Sequence, residues 1–167
     1  RQLSPRASIS YSLGKGFYLS GSTGIYYELP PLTALGFRQS DRLVNRALEY
    51  MRVFSSAVGA EYRLRERLAV SLEGFYKLYS QVPLSVADGV PLTCKGNDYG
   101  VTGNEVLIST AQGRAYGAEL SARWQIPNKV SVVGAFTLYW SEYRSNRHSP
   151  YIPSAWDNRW VANVSGT

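Results

Sequence analysis

Three residue types are nearly missing from this chain, and each scarcity narrows what it can be. Its 167 residues include one cysteine (Cys94), one histidine (His148) and one methionine. A single cysteine excludes an intrachain disulfide. A lone imidazole beside a lone thiol supplies no ligand set for zinc or copper, so neither a metal nor a cofactor is expected. No apolar run approaches the roughly 20 residues that a membrane-spanning helix needs. Arg1-Gln2-Leu3 has neither a starting Met nor the charged and apolar regions of a signal peptide, so the chain reads as cut from something longer. Eighteen Lys and Arg against twelve Asp and Glu give a net charge of +6. These cations are scattered singly. Their one cluster, Arg63-Leu64-Arg65-Glu66-Arg67, holds an acid and falls in a tight turn. A groove that tracks phosphates needs a contiguous basic surface, so nucleic acid is not expected as a partner.

What is present is alternation. The first segment runs from Ala7 to Leu13 and turns at Gly14-Lys15-Gly16; the second runs from Phe17 to about Tyr27. A third, about Tyr50 to Tyr62, turns through residues 63–67 into a fourth, Leu68 to Tyr79. The fifth and sixth, 113–126 and 130–143, hinge at Pro127-Asn128-Lys129, and a seventh starts near Arg159. Such strands match the 9 to 11 residues of a tilted strand crossing a bilayer, whereas globular strands average about 5 to 6. Connections alternate between these short turns and long loops at 28–49, 80–113 and 144–158. Residues 40–50 suggest a helical turn or two capped by Ser40 or Asp41, and 94–105 reads as irregular loop.

Each segment has two faces. On the third strand Phe54, Ser56, Val58, Ala60 and Tyr62 oppose Ser55, Ala57, Gly59, Glu61 and Arg63; on the fourth, Val70, Leu72, Gly74, Tyr76 and Leu78 oppose Ser71, Glu73, Phe75, Lys77 and Tyr79. The fifth sets Tyr116, Ala118, Leu120, Ala122, Trp124 and Ile126 against Gly117, Glu119, Ser121, Arg123 and Gln125, and the sixth sets Val130, Val132, Gly134, Phe136, Leu138 and Trp140 against Ser131, Val133, Ala135, Thr137, Tyr139 and Ser141. Thirteen Tyr and four Trp against five Phe favour rings with a polar handle, which suit wet-dry boundaries. Tyr26, Tyr27, Tyr50, Tyr76, Tyr79, Tyr116, Tyr139, Trp140 and Tyr143 gather at the long-loop ends, and Phe17, Tyr18, Tyr62 and Trp124 at the short-turn ends. Two aromatic girdles follow. The expected fold is all-β, an antiparallel up-and-down transmembrane barrel contributing about seven strands. Leu120, Trp124, Phe136 and Trp140 are expected to face outer-membrane lipid. Glu61, Glu73, Lys77, Glu119 and Arg123 are expected to face a hydrated lumen or a plug, where opposite charges satisfy one another.

"GRAYGAELSARWQIPNKVSVVGAFTLYWSEYR" followed by "YIPSAWDNRWVANVSGT" resembles the late barrel strands of TonB-dependent outer-membrane receptors, particularly of Bacteroidetes type. "YYELPPLTAL" and "RVFSSAVGAEYRLRERLAVSLEGFYKLYSQVP" look like the preceding hairpins of that family. The resemblance covers nearly the whole chain. It departs at Trp160, where many relatives place a His after the Arg. It implies part of a 22-stranded barrel in the bacterial outer membrane, filled in the parent by a plug that this chain lacks. It also implies uptake of a scarce small-molecule nutrient, such as an iron chelate, cobalamin or oligosaccharide, energised by the TonB complex through that plug. A surface lipoprotein is a further partner it allows.

Loop residues Asp98, Tyr99, Tyr151 and Trp156 are the candidate ligand contacts, because aromatics on long loops suit capture of sugars or chelates. Asp157 and Arg159 read as fixing a loop-to-strand junction. Cys94, in the longest loop, reads as an accessible probe. His148, Ser149 and Asp157 hold the letters of a hydrolytic triad but share one loop with no nucleophile motif, so no enzyme is expected. The sequon Asn163-Val164-Ser165 falls inside a strand. A passive porin or adhesin barrel would share these strands, and a soluble lipid- or carbohydrate-binding β-protein would need its apolar faces packed together.

Overall fold

The structure is a computed structural model, and it describes residues 2–64, 67–96, 101–126 and 130–167. In chain order the elements are β1 (Arg6–Gly14), β2 (Phe17–Glu28), the one-turn helix α1 (Leu32–Leu35), β3 (Arg38–Gln39), β4 (Arg42–Leu43), β5 (Met51–Leu64) and β6 (Leu68–Ser85). A 3-10 turn (Leu92–Cys94), β7 (Leu107–Ile126), β8 (Val130–Arg144), β9 (Ile152–Pro153) and β10 (Trp160–Gly166) complete them. One antiparallel sheet holds the long strands in the order β1-β2-β5-β6-β7-β8-β10, with β9 paired to β8. Each long strand lies beside the next in sequence, which is the up-and-down arrangement. The sheet is open, with β1 and β10 at its edges.

Register decides the faces, because residues directly opposite across an antiparallel pair point to the same side. One row runs Ala60, Leu72, Leu120, Phe136, Ala162, and a second runs Val58, Gly74, Ala118, Leu138, Trp160. The alternate rows are polar: Glu61, Ser71, Ser121, Ala135 and then Gly59, Glu73, Glu119, Thr137. A single apolar face therefore extends across the sheet. None of the described residues covers it, since Val58 is 67%, Leu72 55% and Leu120 48% exposed.

Parity corrects the aromatic girdles. Tyr27, Tyr76, Tyr116 and Trp140 share the apolar side at the long-loop end, as Phe17, Tyr62 and Trp124 do at the short-turn end. Tyr18, Tyr26, Tyr79, Tyr139 and Tyr143 lie on the polar side, because neighbours on a strand cannot share a face. Trp160, the departure from the family pattern, stacks on Phe136 with ring centroids 6.4 Å apart.

The segment 40–50 is not a helix. Ser40 and Asp41 both take positive φ, 49° and 61°, and form the two-residue turn of the β3-β4 hairpin, while the helical turn lies earlier, in α1. Strands β6 and β7 also run past their expected ends, pairing as far as Ser85 and Leu107. Register shifts on either side of Val82, with Gln81 at φ 60°, carry the hairpin beyond the sheet's edge.

The buried residues gather at the long-loop end of the sheet. Val82, Leu84, Ala111 and Tyr143 form one cluster, with Tyr79 and Cys94 packed against it. Ala34, Leu92 and Leu107 form another, flanked by Leu48. Buried Asn45 ties the second together: its Nδ2 donates to the Ala34 and Glu105 carbonyls, each at 2.8 Å, and its Oδ1 accepts from the Leu107 N–H at 2.9 Å. On β7 the buried residues Ala111 and Ala115 share the parity of Glu119, as Tyr143 on β8 shares that of Thr137, so the first cluster lies on the polar side of the sheet.

Candidate functional site

The polar wall has layers set by strand register. Nearest the short turns, Glu61, Arg63, Arg67, Ser71, Ser121, Arg123 and Gln125 line a recess of about 550 Å³. Here Arg63 Nε donates to Glu61 Oε1 at 2.6 Å, its guanidinium lies 4.7 Å from the Tyr18 ring centre, and the Ser71 and Ser121 hydroxyls bond at 2.7 Å. One row higher, Glu73 faces Glu119 directly across the β6-β7 pair, and Glu119 accepts from Thr137 Oγ1 at 3.0 Å. Glu61 thus has an opposite charge beside it in Arg63, whereas these two glutamates are like charges in register. Lys77 lies higher still, beside Phe75 with 5.8 Å from Nζ to the ring centre.

On either side of the Lys77 row the wall is aromatic, and two glycines make room for it. Tyr143 pairs with Gly113 and Tyr139 with Gly117. A Cβ at Gly113 would fall on the Tyr143 ring; at Gly117 it would fall on the Leu138 carbonyl and within 2.8 Å of Tyr139 Cβ. That is the physical content of the Gly-Arg-Ala-Tyr-Gly run: Gly113 and Gly117 accept the neighbouring tyrosines on one side while Arg114 and Tyr116 occupy the other.

Three long loops close over this end of the wall. Thr33 Oγ1 donates to the Thr102 carbonyl at 3.0 Å, the Ala155 N–H to the Thr93 carbonyl at 3.2 Å, and Ser145 Oγ to the Gly89 carbonyl at 2.6 Å. Lys95 bridges Asp88 and Glu105, each at 2.7 Å. The Lys95 hydrogen bond, helped by the Val90 N–H, lowers the Asp88 pKa to about 2. Partial burial works against the Lys95 ammonium, but its bonds to Asp88 and Glu105 outweigh that and raise its pKa. Burial pushes the Cys94 thiol up. Cys94 is thus a half-buried neighbour of the loop core rather than an open probe.

The candidate ligand contacts separate. Asp98 and Tyr99 lie outside the described residues. Trp156 is 69% exposed, and its carbonyl accepts from the Tyr139 hydroxyl at 2.5 Å, which ties it to the polar wall. Tyr151 sits between two guanidinium groups, Arg114 at 4.0 Å and Arg144 at 4.7 Å from its ring centre. Arg114 pairs across the strands with Leu78, so Tyr151 stands away from Trp156, on the apolar side. Asp157 accepts from the Ser141 N–H at 3.2 Å and pairs with Arg159 at 3.1 Å, pinning the junction into β10. The His148 and Ser149 N–H groups both donate to Asn146 Oδ1, and Asp157 is engaged elsewhere, so the three triad letters form no relay. Sequence reasoning missed Asn45 and the paired Arg114 and Arg144; only the parity of Arg114 against Leu120 pointed to the latter.

Similar architecture is found in solved structures. The FrpB iron transporter from Neisseria meningitidis (F3-3 variant) superposes with a TM-score of 0.61 at 13% identity, over 98% of this chain and 24% of that one. The ferric-catecholate import receptor Fiu from E. coli K12, in its closed form, gives 0.67 at 12% identity, over 96% and 21%. At such identities the likeness is one of fold, and the chain spans under a quarter of either protein's length. Among curated proteins none matches the chain in sequence. The family model described as "TonB dependent receptor-like, beta-barrel" matches residues 1–167. Proteins of that family reside in the bacterial outer membrane and are transport receptors rather than enzymes. With the whole length matched and an up-and-down sheet of the same fold, the chain belongs to the TonB-dependent receptor β-barrel family.

Proposed function

We propose that this chain is part of the barrel wall of an outer-membrane receptor that imports a scarce nutrient with energy relayed by TonB. The family match across residues 1–167 carries the reading. Open edges at β1 and β10 support it, because unpaired strand groups in hydrocarbon cost several kcal/mol each and closure by further strands removes them. The exposed apolar face then meets lipid, and the polar wall faces the lumen and a plug outside this chain. Glu73 and Glu119 offer that plug a place for a cation. The long-loop end faces outward, with Trp156 and, by their sequence position, Asp98 and Tyr99 as ligand contacts. The Gly113-to-Glu119 strand favours a Bacteroidetes-type receptor, for which a surface lipoprotein is a fitting partner. Both structural neighbours are named for iron transport or import, so ferric chelates are tested first, followed by cobalamin and oligosaccharides.

Uptake of each labelled nutrient by cells carrying the complete receptor tests the reading. Accumulation is expected to stop when a protonophore collapses the inner-membrane gradient. Accumulation that continues would identify a passive porin instead.

A further inference from the structure

Three arginines break the apolar face, and their positions are not scattered. Among the described strand residues, the cations that share the parity of Leu120 are Arg52, Arg114 and Arg144, all at the long-loop end. Below them Tyr76, Tyr116 and Trp140 lie side by side, with ring centroids 6.2 and 5.4 Å apart. Two residues along a strand span about 7 Å, so Arg114 stands about one such step beyond Tyr116 and Arg144 about two beyond Trp140. Moving outward, the face is aliphatic, then aromatic, then cationic. A lipid leaflet has the same order: acyl chain, interface, phosphate.

A recess of about 400 Å³ sits at that border, with Phe54 and Leu78 below and Arg52, Arg144, Arg147 and Tyr151 above. Arg114 is already neutralised by Glu142 at 2.7 Å. Glu49, which lines an adjoining recess with Arg52, is bonded by Gln81. Arg52 and Arg147 are exposed and have no carboxylate within 4.0 Å among the described residues. Arg144 is held in place: Nε and Nη2 bond Gln112 Oε1 at 3.2 and 2.8 Å, Nη1 bonds the Arg147 carbonyl at 3.1 Å, and Tyr151 stacks on it. Donors remain over on both its terminal nitrogens. We propose that this recess binds the phosphate of an outer-leaflet lipid, whose acyl chain runs down over Phe54 and Leu78. The site rests on the reading that the apolar face meets lipid and the long loops face outward.

The probe is lipid A, a phosphorylated disaccharide lipid, added to the complete receptor in detergent and followed by native mass spectrometry. Retention of lipid A but not of its dephosphorylated form is expected. R52Q/R147Q removes two exposed side chains with no structural bonds and should weaken retention about fivefold per arginine, with R144Q adding to it. R38Q/R42Q, on the β3-β4 hairpin, should change nothing. Equal retention by R52Q/R147Q and parent would overturn the site. Displacement of lipid A by inorganic phosphate would make it a free-anion site, and loss of a co-purifying protein with unchanged lipid would make it a protein contact; either overturns the proposal. Quenching of Trp140 by brominated acyl chains, read against W140F, reports the underlying face assignment alone. Quenching with no arginine effect sinks only the headgroup site, and no quenching sinks the face assignment itself.

Discussion

At the scale of single residues, glycines on neighbouring strands serve opposite ends. Gly117 leaves room where a Cβ would meet the Leu138 carbonyl and Tyr139, two neighbours that cannot swing away without moving β8. Gly74 lies in register with Ala118 on the other face, and a Cβ there meets its nearest atom, the Gly117 carbonyl, at 3.9 Å, an ordinary contact. A strand glycine without a steric reason is a net cost of about 0.5–1 kcal/mol relative to Ala. Gly117→Ala is therefore expected to destabilise the folded receptor by about 1–3 kcal/mol through overpacking, while Gly74→Ala is neutral or slightly stabilising. Urea titration of the receptor folded into bilayers measures both. Matching midpoints for the two variants would show that the Leu138 carbonyl and Tyr139 Cβ are not seated against Gly117. Both glycines look alike in the sequence; only cross-strand register separates them.

On the scale of elements, alternation of period two made the long strands legible, because a sheet with unlike surroundings on its two sides must write that difference into every strand. The same rule yields the next test. Leu120 and Ser121 are adjacent on β7, in register with Phe136 and Ala135. Leu120→Arg near the middle of the apolar face is expected to cost about 2–4 kcal/mol, whereas Ser121→Arg, opposite Ser71, should cost far less. Folding yields in bilayers at fixed pH compare them, and equal penalties would mean that the faces share one environment. Less was legible where period two gives no instruction. The reach of β6 and β7 past Tyr79 depends on two register shifts around Val82, which leave no regular trace in the alternation. Residues 40–50 carry helical spacing, yet the positive φ of Ser40 and Asp41 turns the chain into a hairpin. Asn45 reads as an ordinary loop polar residue until Ala34, Glu105 and Leu107 converge on it from distant positions. The candidate site was legible as a wall, from the charges of one parity, but not as a set of contacts. Neither the Glu73-Glu119 opposition nor the Arg114-Tyr151-Arg144 stack follows from any single strand's pattern.

Across the whole molecule, burial and exposure are distributed the reverse of a soluble sandwich. Among the described residues the sheet leaves an entire apolar face uncovered, and the packed clusters belong to the loop end, the first of them on the side of the polar wall. In a membrane this arrangement needs no internal core within the sheet, since lipid takes that role, and the loop clusters hold a cap in water. Orientation then becomes testable from the loops alone. Leu32 is 76% exposed at the start of α1, whereas Cys94 is half-buried beside Val82, Leu84 and Ala111 with its thiol pKa raised by burial. If the long loops face outward, a membrane-impermeant maleimide on intact cells should label L32C in a C94S background quickly and the native Cys94 slowly, because only the thiolate attacks. Opening the cap should remove that difference. Lys95→Met breaks the links to Asp88 and Glu105 beside Cys94, so it is expected to speed Cys94 labelling while leaving L32C unchanged. Labelling of L32C only after the outer membrane is disrupted would invert the topology and move the proposed ligand contacts to the wrong side of the barrier. Rapid labelling of native Cys94, equal to that of L32C, would mean that the three loops do not pack into one cap, and that Trp156 has no fixed place above the wall.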